Sequence, residues 1–278
     1  MKYMTFTSSC SYCALANLLE LLKIEPKEVS YEDRDIALEI GLPYIFTYTE
    51  EAGFYAGAMN QGGAYFSSFL QSFGYFFKEE QVERENLLSF LKSHPYSILG
   101  IKAQEGKHAV IFLGQQNQNL VFLNPHRKGD GQDDQRIISL DTLKTRVEPI
   151  VTIGYLEQGE IDSKVDSFLD SISTLEEYRQ KFKSFCRTSH PKEELLKQRD
   201  FLFRAFVIDL LAMMELLGNL KLASLLKKLQ SQVLMLFKEK EAIPFAWIDE
   251  ALFDECIEEY KMLIYEFVRK RGEERCLK

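Results

Sequence analysis

The sequence contains no apolar run that approaches the length of a membrane span, and its start, Met1 to Phe6, lacks the apolar core of a secretory signal. It also lacks Gly-x-Gly-x-x-Gly and phosphate-loop signatures, so no nucleotide cofactor is expected. Lys and Arg total 34 against 42 Asp and Glu, and the formal charge of −8 argues against nucleic-acid and anionic-membrane partners. We therefore expect a folded cytoplasmic protein without a cofactor.

Cysteine is scarce and irregularly spaced. The five cysteines, an odd number, stand at positions 10, 13, 186, 256 and 276, which is not the framework of a disulfide-stapled secreted domain. No second Cys-x-x-Cys and no His-x-x-x-His accompanies the pair at positions 10 and 13, so no metal site is expected. A thioredoxin-like redox couple is disfavoured, because too few residues precede Cys10 for the strand that such a unit needs. We therefore expect the five cysteines to be reduced.

The spacing of apolar residues divides the chain into two parts. Short helices and strand candidates occupy residues 1–158, and helical spacing alone follows over 165–187, 192–217, 220–240 and 245–271. A chain of 278 residues with 46% hydrophobic content can bury the cores that this division requires. We predict an α+β domain over 1–158 and a helical bundle over 159–278, whose helices are candidates for a homo-oligomer contact.

The chain begins with a strongly helical run that two thiols precede. Leu15, Leu18, Leu19 and Leu22 recur at three- and four-residue intervals, which predicts a buried helix beginning at or near Cys13. Free backbone N–H groups at a helix start favour a thiolate over a thiol, and this is how a cysteine nucleophile is commonly made. The alternative is that both cysteines are small apolar residues of a core.

Further elements follow from the same patterns. We predict helices over 31–40, 64–73 and 85–92, and a short strand or extended loop over 42–48 that precedes a loop of glycines and aromatic residues. Strands are predicted over 97–101, 108–113, 120–123 and 150–155.

The second and third of these strands are predicted to form an antiparallel hairpin. If Leu113 lies opposite Leu120, His108 falls beside Asn124 and Pro125. An amide in that place can hold the imidazole in one tautomer, as the third group of a nucleophilic triad must. His126, just beyond, is predicted to be a solvated loop residue.

The order of these features resembles the papain-like cysteine peptidases, and most of all the bacteriocin-leader (double-glycine) peptidases. The similar segments are Ser9-Cys10-Ser11-Tyr12-Cys13, His108-Ala109-Val110-Ile111 and Leu123-Asn124-Pro125. Over about residues 1–156, the resemblance implies a papain-like fold with Cys13 as nucleophile, His108 as general base and acid, and Asn124 orienting the imidazole. Thr7 stands where that family carries the glutamine that donates to the oxyanion. The resemblance therefore implies that Thr7, or its neighbour Ser8 or Ser9, donates to the oxyanion together with the backbone N–H of Cys13.

A second resemblance concerns the segment 38–48. It is similar to the glycine-leucine-x-phenylalanine-x-tyrosine segment of butirosin-type acyltransferases, which move an aminoacyl group from a carrier protein to an amine. The nucleophile of that family aligns better with Cys10, and Ser9 stands where that family has a histidine. Cys10 is therefore the alternative nucleophile.

Three functions remain open from the sequence. The first is thiol-dependent hydrolysis or transfer on a peptide amide or thioester, and the second is aminoacyl transfer from a carrier to an amine. The third is a catalytically inactive protein that binds a peptide or a carrier. The expected partner is accordingly a peptide or an acyl-thioester carrier protein.

Overall fold

The chain forms two units, and their boundary does not follow a single cut in the sequence. The computed structural model describes residues 1–6, 9–24, 29–51, 53–103, 106–160, 168–238, 243–244 and 248–276. One unit comprises Met1–Ile40 and Gln61–Val165, and the other comprises Gly41–Asn60 and Asp166–Lys278. The predicted boundary at 158/159 therefore needs one correction, because residues 41–60 pack with the helical unit.

The architecture is α+β, as predicted. The helices are α1 (Cys10–Leu22), α2 (Asp33–Ile40), α3 (Gly63–Leu70), α4 (Leu87–Ser93), α5 (Leu140–Arg146), α6 (Asp170–Cys186), α7 (Lys192–Gln198), α8 (Leu210–Leu217), α9 (Leu220–Lys238) and α10 (Glu250–Cys276). The strands are β1 (Phe46–Thr49), β2 (Gly53–Ala56), β3 (Tyr75–Glu83), β4 (Ile98–Ala103), β5 (Gly106–Gln116), β6 (Asn119–Leu123), β7 (Gln135–Ser139), β8 (Ile150–Gln158), β9 (Ser189–His190) and β10 (Ile243–Pro244). Within the described ranges, no helix has a stretch long and apolar enough to cross a membrane.

A six-stranded sheet organises the first unit. Its strands follow the order β3-β8-β4-β5-β6-β7, and all neighbours pair antiparallel. One face of the sheet packs against α4 and α5 in a buried apolar core. This core includes Leu87, Leu91, Leu99, Ile101, Val110, Phe112, Phe122, Leu143, Val151 and Ile153.

Helix α1 begins one turn earlier than predicted. Its first residue is Cys10, with Ser9 at the N-cap position, and its residues from Tyr12 to Leu19 are all buried. The Ser9 hydroxyl oxygen lies 2.5 Å from the Asp33 carboxylate and 2.8 Å from the Phe6 carbonyl oxygen, and its single proton is available to either acceptor. The prediction of a start at Cys13 is wrong because these anchors precede the leucine repeat on which it was based.

The predicted hairpin is present with a different register. Strands β5 and β6 are joined at Asn117, which has a positive φ of 56°. Gln115 rather than Leu113 lies opposite Leu120, and the register shifts again between Phe112 and Gly114. The irregularity is typical of a β-bulge, which places an extra residue in one strand and offsets everything beyond it.

The second unit is built around aromatic side chains. The ring of Phe46 in β1 lies 5.3 Å from Tyr178 of α6 and 6.0 Å from Phe206. The Phe46 N–H also donates to the Ser171 hydroxyl at 3.0 Å. Edge-to-face ring pairs of this kind add to the stabilisation that burial provides. They explain why a hairpin from the first half of the sequence belongs to the helical unit.

Helices occupy most of the described residues of the four predicted helical ranges, with one irregularity, and residues 165–167, 239–240 and 245–247 of those ranges lie outside the described residues. Within 192–217, a π-helix, Arg199–Asp209, separates α7 from α8. Asp209 at its end is 1% exposed, and among the described residues its carboxylate has no hydrogen-bond partner. Burial raises the pKa of Asp209 to about 6, against the attraction of Arg204, whose Nε lies 3.7 Å away. The charged form of Asp209 therefore destabilises the folded state.

This acid generates a pH-dependent stability. Because the pKa of Asp209 is raised in the folded state, its favourable contribution is complete below the usual value of 3.8 and is lost as the pH rises through about 6. Relative to Asp209→Asn, the wild type should lose about 3 kcal/mol of unfolding free energy across that window, at about 1.36 kcal/mol per pKa unit. Urea unfolding of both proteins at a series of pH values measures this difference. Parallel pH profiles would contradict it.

Candidate functional site

A cavity of about 320 Å³ lies against the sheet of the first unit. Its lining includes Gly100, Ala109 and Gly154, each of which alternates along its strand with residues of the apolar core. Because these residues have little or no side chain, they leave space for the cavity on this face of the sheet. A Cβ at Gly154 would meet the Phe77 ring at 2.0 Å, so a larger residue there would displace that wall.

The two predicted nucleophiles differ in their access to this cavity. Cys10 lines the cavity and is partly exposed at the first residue of α1, whereas Cys13 is 0% exposed. The Cys13 thiol donates to the Lys2 carbonyl at 3.4 Å and lies 3.5 Å from the Asn17 amide. Of the two thiols, only that of Cys10 lines the cavity.

The expectation that Cys13 favours the thiolate is wrong. Burial raises the pKa of Cys13 well above its ordinary value, and the Asp33 charge raises it further. The physical reason is the position of Cys13 within the helix. Its N–H already donates to the Ser9 carbonyl at 2.8 Å, so the unpaired N–H groups of the helix start lie one turn earlier.

Gln61 is a cavity residue that the sequence did not reveal. It lines the cavity together with Cys10 and Ser11, and the Ser11 hydroxyl donates to Gln61 Oε1 at 2.7 Å. This bond assigns the oxygen branch of the amide to Ser11, so the amino branch is its donor end. No local pattern could identify Gln61, because the contact joins residues far apart in the chain. Thr7, the predicted oxyanion donor, lies outside the described residues.

The predicted contact between His108 and Asn124 is confirmed. His108 Nε2 lies 3.0 Å from Asn124 Oδ1, which also accepts from Arg136 Nε at 2.8 Å. The other branch of the amide, Nδ2, donates to the Asp133 carbonyl at 2.8 Å. These partners fix the orientation of the amide, so His108 donates through Nε2 and a neutral ring carries its lone pair on Nδ1.

The electrostatic surroundings keep this imidazole neutral. Burial lowers the pKa of His108 and the charge of Arg136 lowers it further, against the hydrogen bond to Asn124, which favours the protonated ring. A ring with these properties has the protonation state of a general base. A backbone hydrogen bond to Pro125 also raises the pKa of His108, and whether the ring can act as a base depends on what its Nδ1 faces.

The strand directs His108 away from the cavity. Lys107 and Ala109 line the cavity with Cys10, and successive side chains of a strand point to opposite faces. His108 therefore shares the face of Val110, whose side chain belongs to the core beneath α4 and α5. Within the described part of the chain, no hydrogen bond joins His108 to the thiol of Cys10 or Cys13. The structure assembles the imidazole and amide of the predicted triad, and it does not bring a thiol to them.

His126 is buried rather than solvated, contrary to the prediction. Its Nδ1 and Nε2 lie 3.0 Å from Asp130 and Asp134 respectively, and its carbonyl accepts from the Met4 N–H at 2.9 Å. Although burial lowers the pKa of His126, its hydrogen bonds to the Arg127 carbonyl and to these carboxylates raise it overall. His126 therefore anchors the N-terminal segment. Across the described ranges, no three His, Cys, Asp or Glu side chains gather as a metal site.

Comparisons with known proteins find similarity to solved structures alone. No protein-family model matches the chain, and no curated protein matches it. Among solved structures, the peptidase domain of Streptococcus ComA, a bi-functional ABC transporter involved in a quorum-sensing pathway, is similar with a TM-score of 0.37 and 14% identity. The match covers 56% of this chain and 96% of that domain. Similarity at this level does not extend to activity, so this chain's own residues carry the functional proposal.

The accessibility of the two thiols is directly measurable. We expect iodoacetamide to alkylate Cys10 in the native protein at least ~100-fold faster than Cys13, because the buried thiol reacts only when the helix opens. Peptide mapping by mass spectrometry measures both rates, and the same reaction in urea, where the two rates should converge, is the control. Native-state labelling of Cys13 before Cys10 would contradict this assignment.

Proposed function

We propose that the first unit transfers an acyl group from a thioester donor to an amine through Cys10. The observation that carries this proposal is the position of Cys10, which opens α1 and lines the cavity while His108 faces the other side of the sheet. Of the functions open from the sequence, this one fits a cysteine that has no imidazole beside it.

The leaving group explains why this geometry favours a thioester over a peptide amide. An amide nitrogen leaves only after protonation, so a peptidase needs a general acid at the nucleophile. A thiol leaves as a stable thiolate and needs no such acid. His108 cannot supply that proton from the face opposite Cys10, and peptide hydrolysis is accordingly the less favoured reaction.

Both steps of the transfer balance without an imidazole. The Cys10 thiolate attacks the donor carbonyl carbon, a new C–S bond forms, and the donor C–S bond breaks with its electron pair left on the donor sulfur. An amine nitrogen then attacks the Cys10 thioester, the C–N bond forms, and Cys10 departs as thiolate. The amine proton passes to that thiolate or to water.

The oxyanion formed in each step needs donors close to the Cys10 sulfur. The first turn of α1 offers backbone N–H groups at the positive end of the helix dipole. The Gln61 amide, held through its oxygen by Ser11, supplies a side-chain donor on the cavity wall. Gln61 is our candidate for the role that the sequence assigned to Thr7.

A second candidate is a protein that binds a peptide or a carrier without reacting. The observation that favours it is the absence, among the described residues, of any hydrogen bond to the Cys10 thiol from a group that could take its proton. The two candidates differ in whether Cys10 becomes acylated.

Acylation of Cys10 tests the proposal. We expect intact-mass spectrometry to show Cys10-dependent acylation by acetyl-coenzyme A and acetyl-N-acetylcysteamine, and release of the acyl group when an amine is added. Cys10→Ser should remove this reaction, a loss of at least ~100-fold. Cys13→Ser and His108→Ala should retain it, since neither side chain faces the cavity. If His108→Ala loses Cys10 acylation while circular dichroism shows intact folding, the result would contradict the proposal and support a Cys-His-Asn triad. If neither the wild type nor any variant is acylated, the result would favour the protein that only binds a peptide or a carrier.

Gln61 gives a separate test of the oxyanion donors. Gln61→Ala should slow Cys10 acylation about 100- to 1,000-fold, as the loss of one preorganised donor does in other acyl-transfer enzymes. Gln81→Ala is the matched control, because Gln81 is an exposed glutamine of β3 that does not line the cavity. This variant should keep the wild-type rate. A wild-type rate in Gln61→Ala would remove Gln61 from the mechanism.

A further inference from the structure

The charged groups in the cavity lining are unevenly paired. Lys102 forms an ion pair with Glu148, with Nζ 3.2 Å from Oε1. Lys107 and Arg146 also line the cavity, and no carboxylate of the described residues lies within ion-pair distance of either. The remaining carboxylate in the lining, Glu79, accepts from the Gly63 N–H at 3.1 Å. Among the described residues, therefore, exposed Lys107 and partly exposed Arg146 have no counter-ion.

Lys102 and Lys107 lie at one end of the cavity, and Arg146 stands two residues before Glu148, the ion-pair partner of Lys102. The register pairs Lys102 with Lys107 and Ile98 with Gly154, which itself pairs with Glu79. Lys102 follows Ile98 by four positions in β4, a distance of about 13 Å at the usual rise of an antiparallel strand. The cationic end and the Glu79 end are thus well separated along the floor.

Cys10 belongs to the Glu79 end. Its neighbour Ser11 is bonded to Gln61, and Gly63, two residues further on, is bonded to Glu79. A donor whose carbonyl meets the Cys10 sulfur therefore extends along the small-residue floor toward the two cations. The ring of Phe66, which packs against Phe77 at 4.9 Å, gives this path an apolar side.

Arg146 has a further like-charged neighbour. Burial lowers the pKa of Arg136, and the charge of Arg146 lowers it further, so two guanidinium groups act on one another beside α5. Like charges held together favour an anion that binds between or beside them. Guanidinium and ammonium groups recognise carboxylates and phosphates through charge-assisted hydrogen bonds.

We propose that the acyl donor carries an anionic group, a carboxylate or a phosphate, which Lys107 and Arg146 bind at the end of the cavity remote from Cys10. This inference rests on the proposed acyl transfer through Cys10 and specifies its substrate class. A carboxylate would belong to the acyl group, and a phosphate to the thiol part of the donor.

Two matched pairs of donors separate these sources. The N-acetylcysteamine thioesters of adipate and hexanoate differ by a terminal carboxylate, and acetyl-coenzyme A differs from acetyl-N-acetylcysteamine by the phosphates of its thiol part. We expect the anionic member of at least one pair to acylate Cys10 about 10- to 100-fold faster, the range for a charge-assisted contact. The double variant Lys107→Gln/Arg146→Gln should remove that advantage and leave the neutral donors unaffected. Lys92→Gln, on the exposed side of α4, is the matched control.

The outcomes distinguish failure of the anionic substrate class from failure of the proposed acyl transfer through Cys10. Equal rates for both members of each pair, unchanged in the double variant, would overturn the anionic substrate class while the transfer through Cys10 stands. If no donor acylates Cys10, the transfer itself fails, and adipate and inorganic phosphate are then titrated into Cys10→Ser by NMR. If Cys10→Ser binds either anion and the added Lys107→Gln/Arg146→Gln substitutions abolish this binding, the anion site stands. If Cys10→Ser binds neither anion, the anion site is overturned. Circular dichroism of each variant excludes misfolding as the cause.

Discussion

Successive side chains of β5 point to opposite faces of the sheet, and this alternation decides the chemistry open to the first unit. Lys107 and Ala109 face the cavity that Cys10 lines, whereas His108 faces the core side and binds Asn124. A thiol and an imidazole on different faces cannot exchange a proton directly. The proposed function follows from this separation, because a thioester has a leaving group that needs no acid.

The start of α1 is the second constraint, and it determines which thiol can react. Because the helix begins at Cys10, the N–H of Cys13 is already bonded within the helix and its side chain is buried. The same sequence with a helix start one turn later would expose Cys13 to the dipole instead. Ser9, held by Asp33, precedes the first residue of the helix, so an anchor outside the leucine repeat determines which of the two thiols is accessible.

Local patterns predicted much of the fold and the contact between His108 and Asn124. The β5–β6 hairpin brought His108 to Asn124, although a bulge changed the register. Strand β3 was missed because charged residues stand on both of its faces, Lys78 and Glu80 on one and Glu79 on the other, which hides the alternation of a strand. Residues 41–60 were assigned to the wrong unit because Phe46 packs on Tyr178, far away in the sequence. The bond between Ser11 and Gln61 is equally non-local. Contacts across such distances leave no periodic signal in the sequence.

The most direct test of the central claim is a crystal structure of the protein trapped as its acyl-enzyme. The claim is that Cys10 reacts in the cavity without His108. The account predicts a thioester on the Cys10 sulfur, its carbonyl oxygen within hydrogen-bond distance of the Gln61 amide, and the His108 ring still bonded to Asn124 across the sheet. An acyl group on Cys13, or an imidazole nitrogen of His108 in contact with the acylated sulfur, would contradict it.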